Sequence, residues 1–172
     1  SNEENEIAIQ NYFAYGLENK IKDFVYYGRE YLGNDAFDTS TRSTILEYLN
    51  EFDKVDEGIE KALLKTKDEF KWQIVDKLLS RKNENLKKYL LDIIKDGKDD
   101  DKLMASQYLI EMQEIEGLKY FTNKVIEDNE FKLRWFRDRN ALKALITKDA
   151  IPYLLEMLEL TYHNLSRWNM IG

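Results

Sequence analysis

The 172-residue chain predicts an all-α fold built as a stack of antiparallel helix pairs. Three observations carry that expectation. Turn formers are scarce, with seven Gly and one Pro, too few for the many short strands of a sandwich or barrel. Apolar residues recur three or four apart along most of the chain, the period of an amphipathic helix. The pattern also recurs on itself: a shift of 32 residues maps Leu86, Tyr89, Ile93 and Ile94 onto Leu118, Phe121, Val125 and Ile126. A further shift of 33 maps Leu118, Tyr120, Phe121 and Val125 onto Ile151, Tyr153, Leu154 and Leu158. Spacing of this length is the mark of helical-repeat architectures.

From Ile7 to Leu32, the residues Tyr12, Phe13, Leu17, Ile21, Phe24, Val25, Tyr31 and Leu32 trace one amphipathic helix or two end to end, with Gly16 or Gly28 as the expected break. Gly33 to Thr41 reads as a loop that ends in helix-capping residues. Helices are expected around Thr44–Phe52 and Asp56–Leu64, paired as a short hairpin. A regular pattern begins at Lys67, with a helix carrying Phe70, Ile74, Val75, Leu78 and Leu79, followed by Asn83 as a candidate cap. The next helix uses Leu86, Tyr89, Leu90, Ile93 and Ile94 and stops at Asp96-Gly97, where glycine can adopt the left-handed conformation. Asp99-Asp100-Asp101 then opens another helix, since carboxylates complement the N-terminal dipole and its free N–H groups. A longer helix is expected from Glu130 to Thr147, matching Ala105, Leu109 and Ile110 to Ala141, Leu145 and Ile146. Pro152, just after Asp149, suits a helix start, where a missing N–H costs nothing.

Arg139-Asn140-Ala141-Leu142-Lys143-Ala144-Leu145-Ile146 and Lys148-Asp149-Ala150-Ile151-Pro152-Tyr153-Leu154-Leu155 together resemble a HEAT repeat, as in the HEAT/armadillo family. That family has an Arg- and Ala-rich first helix, an acidic turn, and a second helix opening with an Ile/Leu-Pro run. The likeness covers roughly residues 67 to 162 and is looser before residue 67. It implies a right-handed solenoid, an α-α superhelix, with repeats at about 67–97, 98–128 and 129–162. Residues 3–66 would be divergent helices capping the array within one domain. Ser1-Asn2 reads as a tag remnant. The apolar ending Trp168-Asn169-Met170-Ile171-Gly172 suggests an excised fragment or a partner-covered end.

Composition narrows the function. Apolar residues are 43% and charged residues 34% of the chain, well away from disorder. No apolar run approaches the roughly 18 residues of a membrane span, and the acidic start Asn2-Glu3-Glu4-Asn5-Glu6 is unlike a signal peptide. With no Cys there is no disulfide framework or thiol nucleophile, and a cytoplasmic location is expected. The net charge of −7 disfavours nucleic acid as the main partner and favours a basic protein.

The candidate chemistry is thin. The sole His, His163, has Glu159 one turn before it but no further ligands of the kind a metal centre needs. Glu111, Glu114 and Glu116 cluster at a junction and read as a solvated turn. Asp96 to Asp101 lacks the alternating ligands and terminal Glu of a calcium loop, and helix capping explains it. No phosphate loop, catalytic triad or dinucleotide fingerprint is present, so neither enzyme activity nor a cofactor is expected.

Two sets of residues stand out as partner-binding candidates. Arg134, Trp135 and Arg137 lie in a segment, 129–148, with six basic and two acidic residues, which is +4 while the remainder of the chain is −11. Arg beside aromatics could grip an acidic peptide or a nucleic-acid strand, or Arg could pair with Asp128, Asp138 or Asp149 while Trp135 and Phe136 are buried. The second set follows from the repeat register: Lys88, Tyr120 and Tyr153 form one row, and Asp92, Lys124 and Met157 another. In HEAT-like folds the second helices line the concave face, so the resemblance implies that these rows contact a partner there. The leading expectation is a non-catalytic protein-binding module, an adaptor or regulatory segment. The alternatives are an acidic immunity-type protein that neutralises a basic bacterial toxin, and a nucleic-acid-binding HEAT-like protein acting through Arg134, Arg137 and Arg139.

Overall fold

The structure, a computed structural model, describes residues 2–127, 148–156 and 158–159. All regular secondary structure among these residues is helical: α1 (Asn2–Glu18), α2 (Val25–Tyr31), α3 (Thr39–Phe52), α4 (Glu57–Lys65), α5 (Lys71–Ser80), α6 (Leu86–Asp96), α7 (Asp99–Glu111) and α8 (Ile115–Glu127), with further helix at 151–156. The chain divides into two compact units, Ser1–Glu84 and Asn85–Gly172. The division falls later than residue 67, where the regular apolar pattern begins.

In the first unit α3 is the hub, with α1, α2 and α5 all packed on it. Asp38 caps it: its carboxylate accepts from the Thr41 N–H at 2.7 Å, starting the helix five residues ahead of Thr44, where the apolar stripe begins. Ile45, Leu46, Tyr48 and Leu49 of α3 are buried with Phe13 of α1, Leu32, and Phe70, Ile74, Val75 and Leu78 around α5. Each large apolar side chain so buried contributes roughly 1.5–3 kcal/mol. α4 packs mainly on α2 and α5, so the expected α3–α4 hairpin is not a principal pairing.

Neither glycine breaks the N-terminal helix. Gly16 and Gly28 both lie inside helices, where a Cβ would sit 2.8 Å from Phe24 and 2.8 Å from Leu49 respectively. Their role is close packing, and the chain turns between them. α1 ends with Lys20 at φ 55°, the Ile21 N–H donating to the Gly16 carbonyl at 2.9 Å. This is a Schellman closure made without glycine, and it recurs. Lys82 (φ 56°) ends α5, with the Asn83 N–H on the Leu78 carbonyl at 3.0 Å, and Gln113 (φ 64°) ends α7, with the Glu114 N–H on the Leu109 carbonyl at 2.8 Å. Gly97, the residue expected to close α6 in this way, is instead extended at φ −75°. Asn83 donates to Asp56 at 2.8 Å and Glu60 at 2.6 Å, tying it back to α4, while Asn85 occupies the position before α6.

The second unit is centred on α7, against which α6 and α8 pack. Six consecutive residues, Ala105 to Ile110, are buried, so this part of α7 is enclosed all round and cannot follow a one-faced pattern. As expected, Asp99, Asp100 and Asp101 form its first turn. Tyr89 of α6 is half-buried, and burial, with the charge of Asp101, pushes its phenol up to about 12. α7 and α8 form a tight hairpin whose crossing is set by Gly117, where a Cβ would fall 2.5 Å from the Ser106 carbonyl oxygen and 2.7 Å from Leu109 Cβ. Backbone cannot yield as a side-chain tip can. Gly117→Ala therefore should lower the unfolding free energy by about 1–3 kcal/mol in denaturant titration. An unchanged midpoint would contradict this close approach.

Candidate functional site

Among the described residues, a groove between α1 and α2 offers a candidate site. Both helices rest on α3, and between them lies a cavity of about 290 Å³ lined by Ala8, Ile9, Tyr12 and Phe13 from α1 and Tyr27 and Tyr31 from α2. Phe13 is fully buried, while Tyr12 is 43% and Tyr27 48% exposed. Tyr26, in ring contact with Tyr27, extends the aromatic surface at 68% exposure, and Tyr15 on α1 is 57% exposed. Five tyrosines thus fall within residues 12 to 31.

Ring contacts fix these walls. Tyr12 stacks on Phe24 at 3.7 Å between centroids, and Phe13 meets Tyr48 edge-on at 5.2 Å. On the other wall Tyr27 contacts Tyr26 at 5.6 Å and Tyr31 at 6.4 Å, and Tyr31 meets Phe37 edge-on at 5.8 Å. Partial desolvation, then the neighbouring Tyr27, Asp23 and Tyr31, push the Tyr12 phenol upward, so it is a neutral hydrogen-bonding group at physiological pH.

The groove is held open from below by α3, at both ends of α2. At the start, the buried Tyr48 hydroxyl donates to the Ile21 carbonyl at 2.6 Å and accepts from the Phe24 N–H at 3.2 Å, pinning the α1–α2 link. At the far end, Arg29 of α2 makes a two-pronged pair with Asp53, the residue that ends α3, at 2.6 and 2.7 Å. Arg81 reaches the same turn, with Nε on Asp56 at 2.5 Å and a terminal nitrogen on the Asp53 carbonyl at 2.8 Å. Burial alone would push the Asp53 carboxyl up, but hydrogen bonds from Arg29 and the Val55 N–H, with the charges of Arg29 and Arg81, outweigh it and hold the group below the usual carboxylate range.

Of the sequence-derived candidates, Lys88 and Asp92 are exposed on α6, Tyr120 is half-buried on α8, and Tyr153 is half-buried in the 151–156 helix. Lys124 lies 3.6 Å from Asp99, and Glu114 pairs with Lys87 at 2.6 Å. Met157, Arg134, Trp135 and Arg137, together with His163 and the expected 130–147 helix, lie outside the described residues. Among the described residues, no cluster of three His, Cys, Asp or Glu is placed to hold a metal ion, and no helix is long and apolar enough to cross a membrane.

The tyrosine groove is absent from those candidates. Tyr12 and Tyr31 fall on the apolar stripe and read as core, yet Tyr15, Tyr26 and Tyr27 lie off it. Large aromatics out of register with a core-facing stripe were the available signal.

The Asp53 pair has a defined pH signature. A carboxylate whose folded pKa is depressed adds stability above its unfolded value of about 3.9 and loses it as pH falls through the folded value. Stability should therefore drop below about pH 4, and Asp53→Asn should flatten that acid limb. At neutral pH the variant should be weaker by roughly 1–3 kcal/mol, less than for a fully enclosed pair because Arg29 keeps 36% of its side-chain exposure. An acid limb of unchanged steepness would exclude Asp53 as a contributor. Compared with protein-family models, curated proteins and solved structures, the chain matches none.

Proposed function

We propose that this chain is a non-catalytic, protein-binding helical module, an adaptor or regulatory segment that engages its partner in the groove between α1 and α2. The observation that carries the reading is a preformed cavity walled by exposed tyrosines on helices anchored to a buried hub. Tyr supplies a large, rigid contact area with a polar tip at little cost in rotamer freedom, and is enriched where binding energy concentrates. A helix-bordered apolar groove is a recurrent way of receiving a partner's side chains.

We further propose that the helices form a HEAT-like right-handed solenoid of antiparallel pairs. Its support is the recurrence of the same helix-closing turn at Lys82 and Gln113, 31 residues apart, beside the 32-residue recurrence of the apolar pattern. The acidic, immunity-type neutraliser remains the second reading, favoured by the net charge of −7.

Panning a random peptide library on the whole chain, alongside an Ala8→Trp variant, tests the groove. Ala8 is exposed and lines the cavity, so Trp there fills the groove without removing a contact. Peptide families enriched on the wild type should be lost on the variant. Enrichment of the same families on both proteins would refute binding at the groove.

A further inference from the structure

The cavity and the exposed tyrosines specify more than a protein partner. We infer that the groove receives an arginine- or lysine-bearing segment of that partner, with one apolar side chain in the cavity and the cations over the surrounding tyrosine rings. This rests on the groove being the binding site.

The floor is apolar. Ile9 and the buried Phe13 offer no charged partner, so the element entering the cavity itself must be apolar. Around it the exposed rings of Tyr27 and its neighbour Tyr26, and the face of Tyr12 not stacked on Phe24, carry a negative quadrupole, which attracts cations and Arg guanidinium above all.

Charge around the groove has the same sign. Residues 1–37 contain seven carboxylates (Glu3, Glu4, Glu6, Glu18, Asp23, Glu30, Asp35) against three cations (Lys20, Lys22, Arg29), giving −4 of the chain's −7. Arg29 is taken up by Asp53, which leaves Lys20 and Lys22, both in the α1–α2 link, as the cations of this segment not engaged in that pair. Asp23 sits close enough to act on the Tyr12 phenol, and the exposed Glu30 lies between Tyr27 and Tyr31 in the sequence of α2. The rim therefore combines ring faces and carboxylates, both of which favour a cation and oppose an acidic segment. Glu6 and Asp35 are engaged at the α3 end, with the Asp38 N–H and with Arg42 respectively; Glu6 adds to the negative field without needing to touch the partner, while Arg42 offsets the charge of Asp35.

The test uses the full-length chain and two synthetic amphipathic peptides identical except that one carries Arg where the other carries Glu. Calorimetric titration should show binding of the Arg peptide, weakened as salt is raised, with at least roughly tenfold lower affinity for Glu30→Lys and for Tyr27→Ser. Both positions are exposed, and circular dichroism of each variant checks that the fold is intact. The library panning separates the two levels of the account. If the families lost on Ala8→Trp are neutral or acidic, or if the Glu peptide binds as well as the Arg peptide, the cationic partner is overturned while the groove stands. If cationic peptides bind wild type and Ala8→Trp alike, binding at the groove fails, and this inference with it. Absence of any binding by the Arg peptide also overturns the inference.

Discussion

The phenol of Tyr48 makes the contact on which the groove depends. It is fully buried on α3, and burial pushes its ionisation upward, so the hydroxyl stays protonated and able to donate. An unpaired buried hydroxyl costs about 1–3 kcal/mol, and here both of its functions are met by the α1–α2 link, through Ile21 and Phe24. The same ring abuts Phe13 and Phe24, so one residue fixes the groove's floor, the end of one wall and the start of the other.

The second anchor is ionic. Arg29 and Arg81 converge on the turn from Asp53 to Asp56, joining α2 and the end of α5 to the α3–α4 connection. At the opposite, N-terminal end of α3, Arg42 is buried over the Phe70 ring at 4.5 Å and bonded to Asp68 at 2.5 Å. Ion pairs of this kind add little net stability over well-packed apolar residues, but breaking one strands its partner, so they select one arrangement. Their consequence is positional. α2 is held at both ends on α3, and the tyrosines along it are presented on a fixed support.

Helical class, the capped start of α3, the acidic opening of α7 and the stop after Asp96 were legible in the sequence because each rests on local chemistry: period, caps and dipole. The break between α1 and α2 was not, because glycine serves there as a packing surface and a lysine takes the left-handed turn. α7 was only partly legible, since Gln107 and Ser106 are buried beside Tyr108 and Leu109 and a two-sided burial leaves no stripe to detect. The groove was missed for the converse reason. Exposed and buried tyrosines look alike in a list of apolar residues; Tyr27 stands off the stripe in the sequence, but only the placement of α1 and α2 on α3 shows that it borders a groove.

Amide hydrogen exchange on the full chain with Tyr48→Phe is the most direct measurement of this dependence. The substitution keeps the ring and removes only the hydroxyl. Exchange in the link and α2, residues 19–31, should accelerate about tenfold, the equivalent of ~1.4 kcal/mol, while α7 and α8 keep their wild-type protection. Unchanged protection across residues 19–31, or an equal loss throughout the chain, would contradict the claim that Tyr48 is what holds the groove in place.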